Sequence, residues 1–321
     1  MLGLVAVLVL GAALPQSRAA SRSAAALPAF TVTAPLANGA QAWQAHAAGL
    51  DRVPAPVMQA ARSITIAVID TGADVTAPAL AGRIAGTYDV RTGKGAVADA
   101  DGHGTFVSSL IAGTGAGGVV GFGGAARLLV VKASDSSSFS DLNVAAGIVY
   151  AVRHGAQIVN LSIAGRTSSA VEASAIRYAV SHGVLVVAAA GNDALAGNPV
   201  DYPAALLKES GLVVGASDAT GARAAFSESG SSLSLAAPGV GVLGAMTQGL
   251  YGLGSGTSLA APEVAGAAAL VWAADRKLTA KQVARVLEQT ASGHGAWTPG
   301  LGYGVIDVGA AVDRALQAAA A

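Results

Sequence analysis

The chain has 321 residues, 53% of them hydrophobic and 12% charged, enough apolar material for a large core and incompatible with intrinsic disorder. Lysine plus arginine and aspartate plus glutamate both total 19, so no net field steers the protein to nucleic acid or an anionic membrane surface. The absence of cysteine excludes disulfides, thiol catalysis and thiolate metal sites, and because a domain of this size needs no disulfide, the redox compartment stays open.

The chain opens with an apolar run, residues 2–14, followed by Pro15-Gln16-Ser17-Arg18-Ala19-Ala20, whose small residues suit a signal peptidase. The run falls short of the about 18 to 20 apolar residues that span a bilayer. Residues 1–20 therefore read as an export signal, with a mis-assigned start or an uncleaved anchor as alternatives because basic residues are missing ahead of the run. The expected location is secreted or extracytoplasmic, with no stable membrane insertion after signal removal. Residues 21–62, rich in alanine and proline and without clear periodicity, are expected to form an extension along the domain surface.

Residues 63–321 are expected to form one domain. Near-continuous Val, Ile and Leu runs at 64–69, 127–132, 157–162, 184–189 and 212–216 predict strands covered on both faces. Helical spacing at 104–113, 140–154 and 168–182 separates them. Strands alternating with helices predict a three-layer α/β/α fold with a mostly parallel central sheet. An apolar helix is predicted from about residue 258, and amphipathic helices over 279–289 and 308–319. The apolar stretch 259–274 is interrupted by Pro262, Glu263 and Gly266, which argues against a membrane span.

Three short motifs carry chemistry: Asp70-Thr71-Gly72 at the end of the first strand run, Asp101-Gly102-His103-Gly104-Thr105, and Gly256-Thr257-Ser258 before the apolar helix. Taken singly, each has an ordinary explanation. Asp70 could cap its own turn, His103 could be a surface histidine, and Ser258 could be a helix N-cap. Together they supply a nucleophile, a base and a group to orient the base, in the order Asp, His, Ser, one of three chain orders in which such a set occurs. A fourth segment, Ala189-Ala190-Gly191-Asn192, ends another strand run on an asparagine.

On these four motifs, in this order, the chain resembles subtilisin-type serine endopeptidases, the subtilase family, from about Ile64 to Ala320. The resemblance implies an Asp70–His103–Ser258 triad and an oxyanion hole formed by the Asn192 side chain with the Ser258 N–H. It implies peptide or protein substrates, no cofactor for the chemistry and a monomeric enzyme. It further implies that an extended peptide pairs with Ser162, Ile163, Ala164 and Gly165, which with Ala189, Ala190 and Gly191 wall the first specificity pocket. Ala164 stands where relatives commonly have glycine and is expected to narrow that pocket. The expected preference is for uncharged apolar side chains, with Asp193 disfavouring acidic ones. Phe139 is a weaker candidate for a more distant apolar pocket.

Two departures from the family pattern, Leu259 and Glu263, are expected to touch packing and the helix surface. The loop matching a calcium site in many relatives, residues 113–124, has no Asp, Asn or Glu, so that site reads as lost, and a structural calcium elsewhere stays open. Two rivals share the resemblance: a catalytically silent binding or scaffold protein, and an esterase or peptide ligase using the same site.

Overall fold

The structure, a computed structural model, describes residues 21–23 (backbone only), 30–36, 42–208 and 210–320. The expected export signal lies outside the described residues. The strands are β1 (Ser21–Ser23), β2 (Thr31–Thr33), β3 (Thr65–Asp70), β4 (Ile84–Asp89), β5 (Arg127–Lys132), β6 (Ser138–Ser140), β7 (Ile158–Leu161), β8 (Leu185–Ala189), β9 (Leu212–Ser217), β10 (Leu235–Pro238), β11 (Val242–Ala245) and β12 (Tyr251–Gly254). The helices are α1 (Trp43–Ala47), α2 (Ala55–Ala60), α3 (His103–Ala112), α4 (Asp141–Arg153), α5 (Ala170–Ser181), α6 (Thr257–Ala274), α7 (Ala280–Thr290) and α8 (Val308–Ala320).

Seven strands form one sheet in the order β10-β9-β8-β7-β3-β5-β4, every neighbouring pair parallel. Successive side chains on a strand point to opposite faces, and each face of this sheet has its own core. Ile66, Val68, Leu128, Val130, Val187 and Val214 pack on one side with residues of α3, α6, α7 and α8. Ala67, Ile69, Leu129, Val131, Val186 and Val213 pack on the other with residues of α4 and α5. Both faces must exclude water, which is why these strands are continuous apolar runs. The result is the three-layer α/β/α fold.

The central helix of the first core is α6, with residues 257–272 all buried. It is long and apolar enough to cross a membrane, yet it lies inside the protein, so its composition reflects burial among other helices and the sheet. Residues 42–61 do more than follow the surface. Ala45, Ala48, Leu50, Val53, Val57 and Ala61 join the α6 core. Outside the main sheet, β2 pairs antiparallel with β12, which pairs with β11, while β1 pairs antiparallel with β6.

The calcium-type loop does not fit that ion. It offers no carboxylate, and two of its carbonyls are already engaged: Gly117 O accepts from Leu36 N at 3.1 Å and Gly118 O from Ala42 N at 3.3 Å. Tyr251 and Leu36 also press on Gly117 and Gly118, where a Cβ would lie 2.2 and 2.7 Å from those side chains.

Candidate active site

The sheet changes direction beside β3. From β3 the chain crosses to the edge strand β4 and comes back to insert β5 between them on one side, then adds β7, β8, β9 and β10 in turn on the other. Crevices at such switch points, outside the carboxyl ends of the strands, are where open parallel sheets bind ligands. Asp70 is the last residue of β3, Ser162 follows β7, and Ala190, Gly191 and Asn192 follow β8.

His103 is the first residue of α3, with Gly102 at φ +93° turning the chain into the helix. The flanking Gly104 is required by packing, because a Cβ there would stand 2.1 Å from Gly72 O. The two glycine-containing motifs therefore lie backbone against backbone, and His103 Nδ1 comes 2.8 Å from Asp70 Oδ1. Thr71 strengthens the junction. Its N–H donates to Asp70 Oδ1 at 2.7 Å, and its hydroxyl accepts from Gly104 N at 2.9 Å and donates to Asp99 Oδ1 at 2.8 Å. Asp99 also accepts from Gly102 N at 2.9 Å and from Thr105 N and Oγ1 at 2.8 and 2.6 Å. Sequence reasoning did not single out Asp99, although it lies four residues before His103, where a carboxylate meets the free N–H groups of a helix start.

The His103 ring is fully buried. Burial alone would lower its pKa, but the facing Asp70, with Asp101 and Asp99 behind it, outweighs desolvation and raises it. Phe30, just ahead of β2, stacks on Phe106 with ring centroids 4.5 Å apart and stands 6.4 Å from the His103 ring. His103 Nε2 and Ser258 Oγ are both buried without a hydrogen-bond partner among the described residues. A hydroxyl and an imidazole nitrogen free of competing partners can exchange a proton, and such contacts commonly tighten only with substrate bound.

Ser258 is the second residue of α6, at a helix N-terminus whose free N–H groups and dipole favour negative charge. Its neighbour Thr257 orients Asn192. Asn192 Oδ1 accepts from Thr257 N at 2.9 Å and Oγ1 at 3.0 Å, and Thr257 Oγ1 accepts from Gly191 N at 3.1 Å. With its oxygen held, the amide presents its NH₂ away from Thr257, as an oxyanion donor must. Pro262 falls in the second turn rather than the first, so it withholds an N–H from the Ser258 carbonyl and loosens the helix beneath the serine.

Two sequence expectations need correction. Glu263 is fully buried instead of facing the helix surface, neither carboxyl oxygen has a hydrogen-bond partner among the described residues, and burial raises its pKa well above the ordinary value. Phe139 is 1% exposed and packs in the α4 and α5 core, so its ring offers no surface to a ligand. The wall residues are also buried: Ser162 Oγ accepts from Asn160 Nδ2 at 2.9 Å, the Ile163 side chain joins the same core, and Ala164 is 8% exposed. Ser162–Gly165 thus follow the carboxyl end of β7, and Ala189–Gly191 lie at the carboxyl end of β8.

Comparison with known proteins agrees with this architecture. The model of the peptidase S8 group, the subtilase family, matches residues 61–304. Subtilisin E from Bacillus subtilis (strain 168) is 36% identical over 252 residues, 76% of this chain and 65% of that protein's length. Subtilisin Savinase from Lederbergia lenta is 37% identical over 271 residues, 82% of this chain and 97% of its own. Among solved structures, fervidolysin from Fervidobacterium pennivorans superposes with a TM-score of 0.78 at 27% identity, covering 92% of this chain and 51% of that one. The MycP3 protease of the type VII (ESX-3) secretion system gives 0.76 at 27% identity, covering 91% of this chain and 93% of that one. The chain belongs to the subtilase family.

Proposed function

We propose that this chain is an exported serine endopeptidase that hydrolyses peptide bonds through an acyl-enzyme on Ser258. Ser258 Oγ attacks the scissile carbonyl carbon and its proton passes to His103 Nε2. As the C–N bond breaks, His103 returns that proton to the departing amine. Water then attacks the ester, with His103 again as base, and frees the acid and the serine. Asp70 fixes the imidazole through Nδ1 and stabilises its charged form. The oxyanion formed in each half-reaction is met by the Asn192 NH₂ and the Ser258 N–H. The observation that carries this reading is the 2.8 Å Asp70–His103 hydrogen bond, made by an imidazole whose Nε2 has no hydrogen-bond partner among the described residues.

The substrate chain is read as pairing with Ser162–Gly165, its side chain before the cleaved bond entering between that wall and Ala189–Gly191. Backbone pairing of this kind selects for shape and extension. No cofactor is needed for the chemistry. In this reading residues 1–20 direct export and are removed, 21–62 form the extension to a catalytic domain of 63–321, and the enzyme acts as a monomer.

Ser258→Ala tests the proposal directly. Wild type is expected to be labelled at Ser258 by a fluorophosphonate and to cleave peptides, while the variant keeps its circular dichroism and melting profile but loses both reactions. Peptide turnover by the variant at the wild-type rate would refute it, and a wild type that resists labelling would support the silent scaffold reading.

A further inference from the structure

Three acidic side chains gather beside Gly191, which the peptidase reading places in the substrate crevice. Gly191 forms one wall, and a Cβ there would lie 2.2 Å from Asp201 Oδ2 and 2.7 Å from Glu228 Oε2, so two carboxylates press against the wall from behind. The same residue is tied to the rest of the site: its N–H reaches Thr257 beside Ser258, and its carbonyl accepts from Glu228 N at 3.0 Å. Asp201 is anchored to the opposite wall through the next residue, Tyr202, whose N–H donates to Gly165 O at 2.8 Å. Both walls therefore close on Asp201 and Glu228.

Asp193 completes the group, and oxygens of Asp193, Asp201 and Glu228 lie within 4.8 Å of one another. Asp201 and Glu228 are each 4% exposed, and Glu228 Oε1 has no hydrogen-bond partner among the described residues. A cavity of about 250 Å³, bordered by Ala190, Asp201, Ala204 and Glu228, opens beside them. Arg166, directly after Gly165, pairs with Asp193 and stands 3.5 Å from Asp201. Lys208 also borders the cavity but is exposed. Three carboxylates gathered around one guanidinium concentrate negative charge where two of them are buried, and burying a carboxylate is expensive. Burial first, and the adjoining Asp201 second, push Glu228 up to about 8, which favours its protonated form near neutral pH.

We propose that this buried acidic base receives the ammonium or guanidinium of a lysine or arginine preceding the cleaved bond, making the enzyme selective for basic residues at that position. The inference rests on the peptidase reading and reverses the apolar preference expected from the sequence. Arg166, with its side chain 46% exposed, occupies the cation's place in the free protein and swings outward as the substrate enters. A divalent ion fits less well, since a guanidinium already lies among the oxygens and calcium requires 6–8 oxygen ligands.

The test compares matched peptide amides that differ only in Lys, Arg, Leu, Phe or Glu before the scissile bond, with rates counted per fluorophosphonate-labelled Ser258. Wild type should favour Lys and Arg over Leu by about tenfold or more, the scale of a charge-assisted bond in a desolvated site. In Asp201→Asn and Glu228→Gln that ratio should fall about tenfold. In Arg166→Gln, at an exposed position that leaves folding intact, it should rise. A labelled, active enzyme that prefers Leu or Phe, with Arg166→Gln leaving the ratio unchanged, overturns the inference and spares the peptidase reading. Protein that is neither labelled nor active overturns both. Calcium that raises the melting temperature of wild type but not of Glu228→Gln, with Lys and Leu cleaved equally, makes the cluster a metal site and also overturns it.

Discussion

The two flanks of the crevice treat buried acids in opposite ways. Around His103, the carboxylates meet donors through at least one oxygen: Asp70 Oδ1 takes the imidazole and Thr71, and Asp99 takes Thr71, Gly102 and Thr105. Around Ser258 and Asn192, Glu263 has no hydrogen-bond partner among the described residues, and Asp201 and Glu228 crowd together behind Gly191. Matched carboxylates act as fixed anchors that set geometry. Glu228 and Glu263 have their pKa raised by burial instead, which favours the protonated form.

The largest expected effect comes from breaking the matched flank. Asp70→Asn preserves the shape but offers an amide to His103 Nδ1, favouring the wrong tautomer, and should lower kcat by about 10⁴, the scale for that change in a serine triad. A loss below tenfold, measured with a peptide amide, would mean that Asp70 does not orient the base. A smaller effect should appear in the pH profile. His103 must be neutral to accept the serine proton, and its pKa is raised, so kcat/KM should fall as pH drops through a value above the ordinary 6.5. Asp99→Asn removes one of the charges that hold it up and should move this limb towards acid by less than about one unit. A limb that does not move would sever Asp99 from the imidazole.

On the other flank the readout is stability. Glu263 has a folded-state pKa above its unfolded value, so the stability it contributes is complete below about 4.5 and is lost as pH rises towards the folded value. Each pH unit in that window costs about 1.4 kcal/mol. Glu263→Gln cannot ionise and should melt like wild type near pH 4 but at higher temperature near pH 8. Melting curves that stay parallel across this range would show that Glu263 is solvated or paired.

Much of this contrast lay beyond sequence reasoning, for physical reasons. The five predicted strands emerged within a residue or two because burial on both faces writes a continuous apolar run. By contrast, β4, Ile-Ala-Gly-Thr-Tyr-Asp at the sheet edge, is largely half-exposed and carries no such signature. Asp70, His103, Asn192 and Ser258 stood out because each sits among small residues whose purpose is close approach, as the contact between Gly104 and Gly72 makes concrete. Asp201 and Glu228 are scattered acids with no local pattern. Only the sheet crossing that carries residues 201 and 228 behind residue 191 gives them a common purpose. Glu263 misled for a related reason: a charged residue in a helix is ordinarily on its wet side, and here α6 has none.

The position of α6 bears on when the protein could become dangerous to its maker. Residues 257–272 fill the middle of one core, so the sheet face carrying Ile66, Val68 and Val130, against which α3 also packs, is not fully covered until α6 has been synthesised. Synthesis runs from the amino end, and contacts between distant stretches form late because a long loop must first be closed. The serine arrives on the very helix that completes that core. In the peptidase reading, an emerging chain therefore holds aspartate and histidine through residues 104–257 without the serine, and acquires it only as the fold becomes able to close.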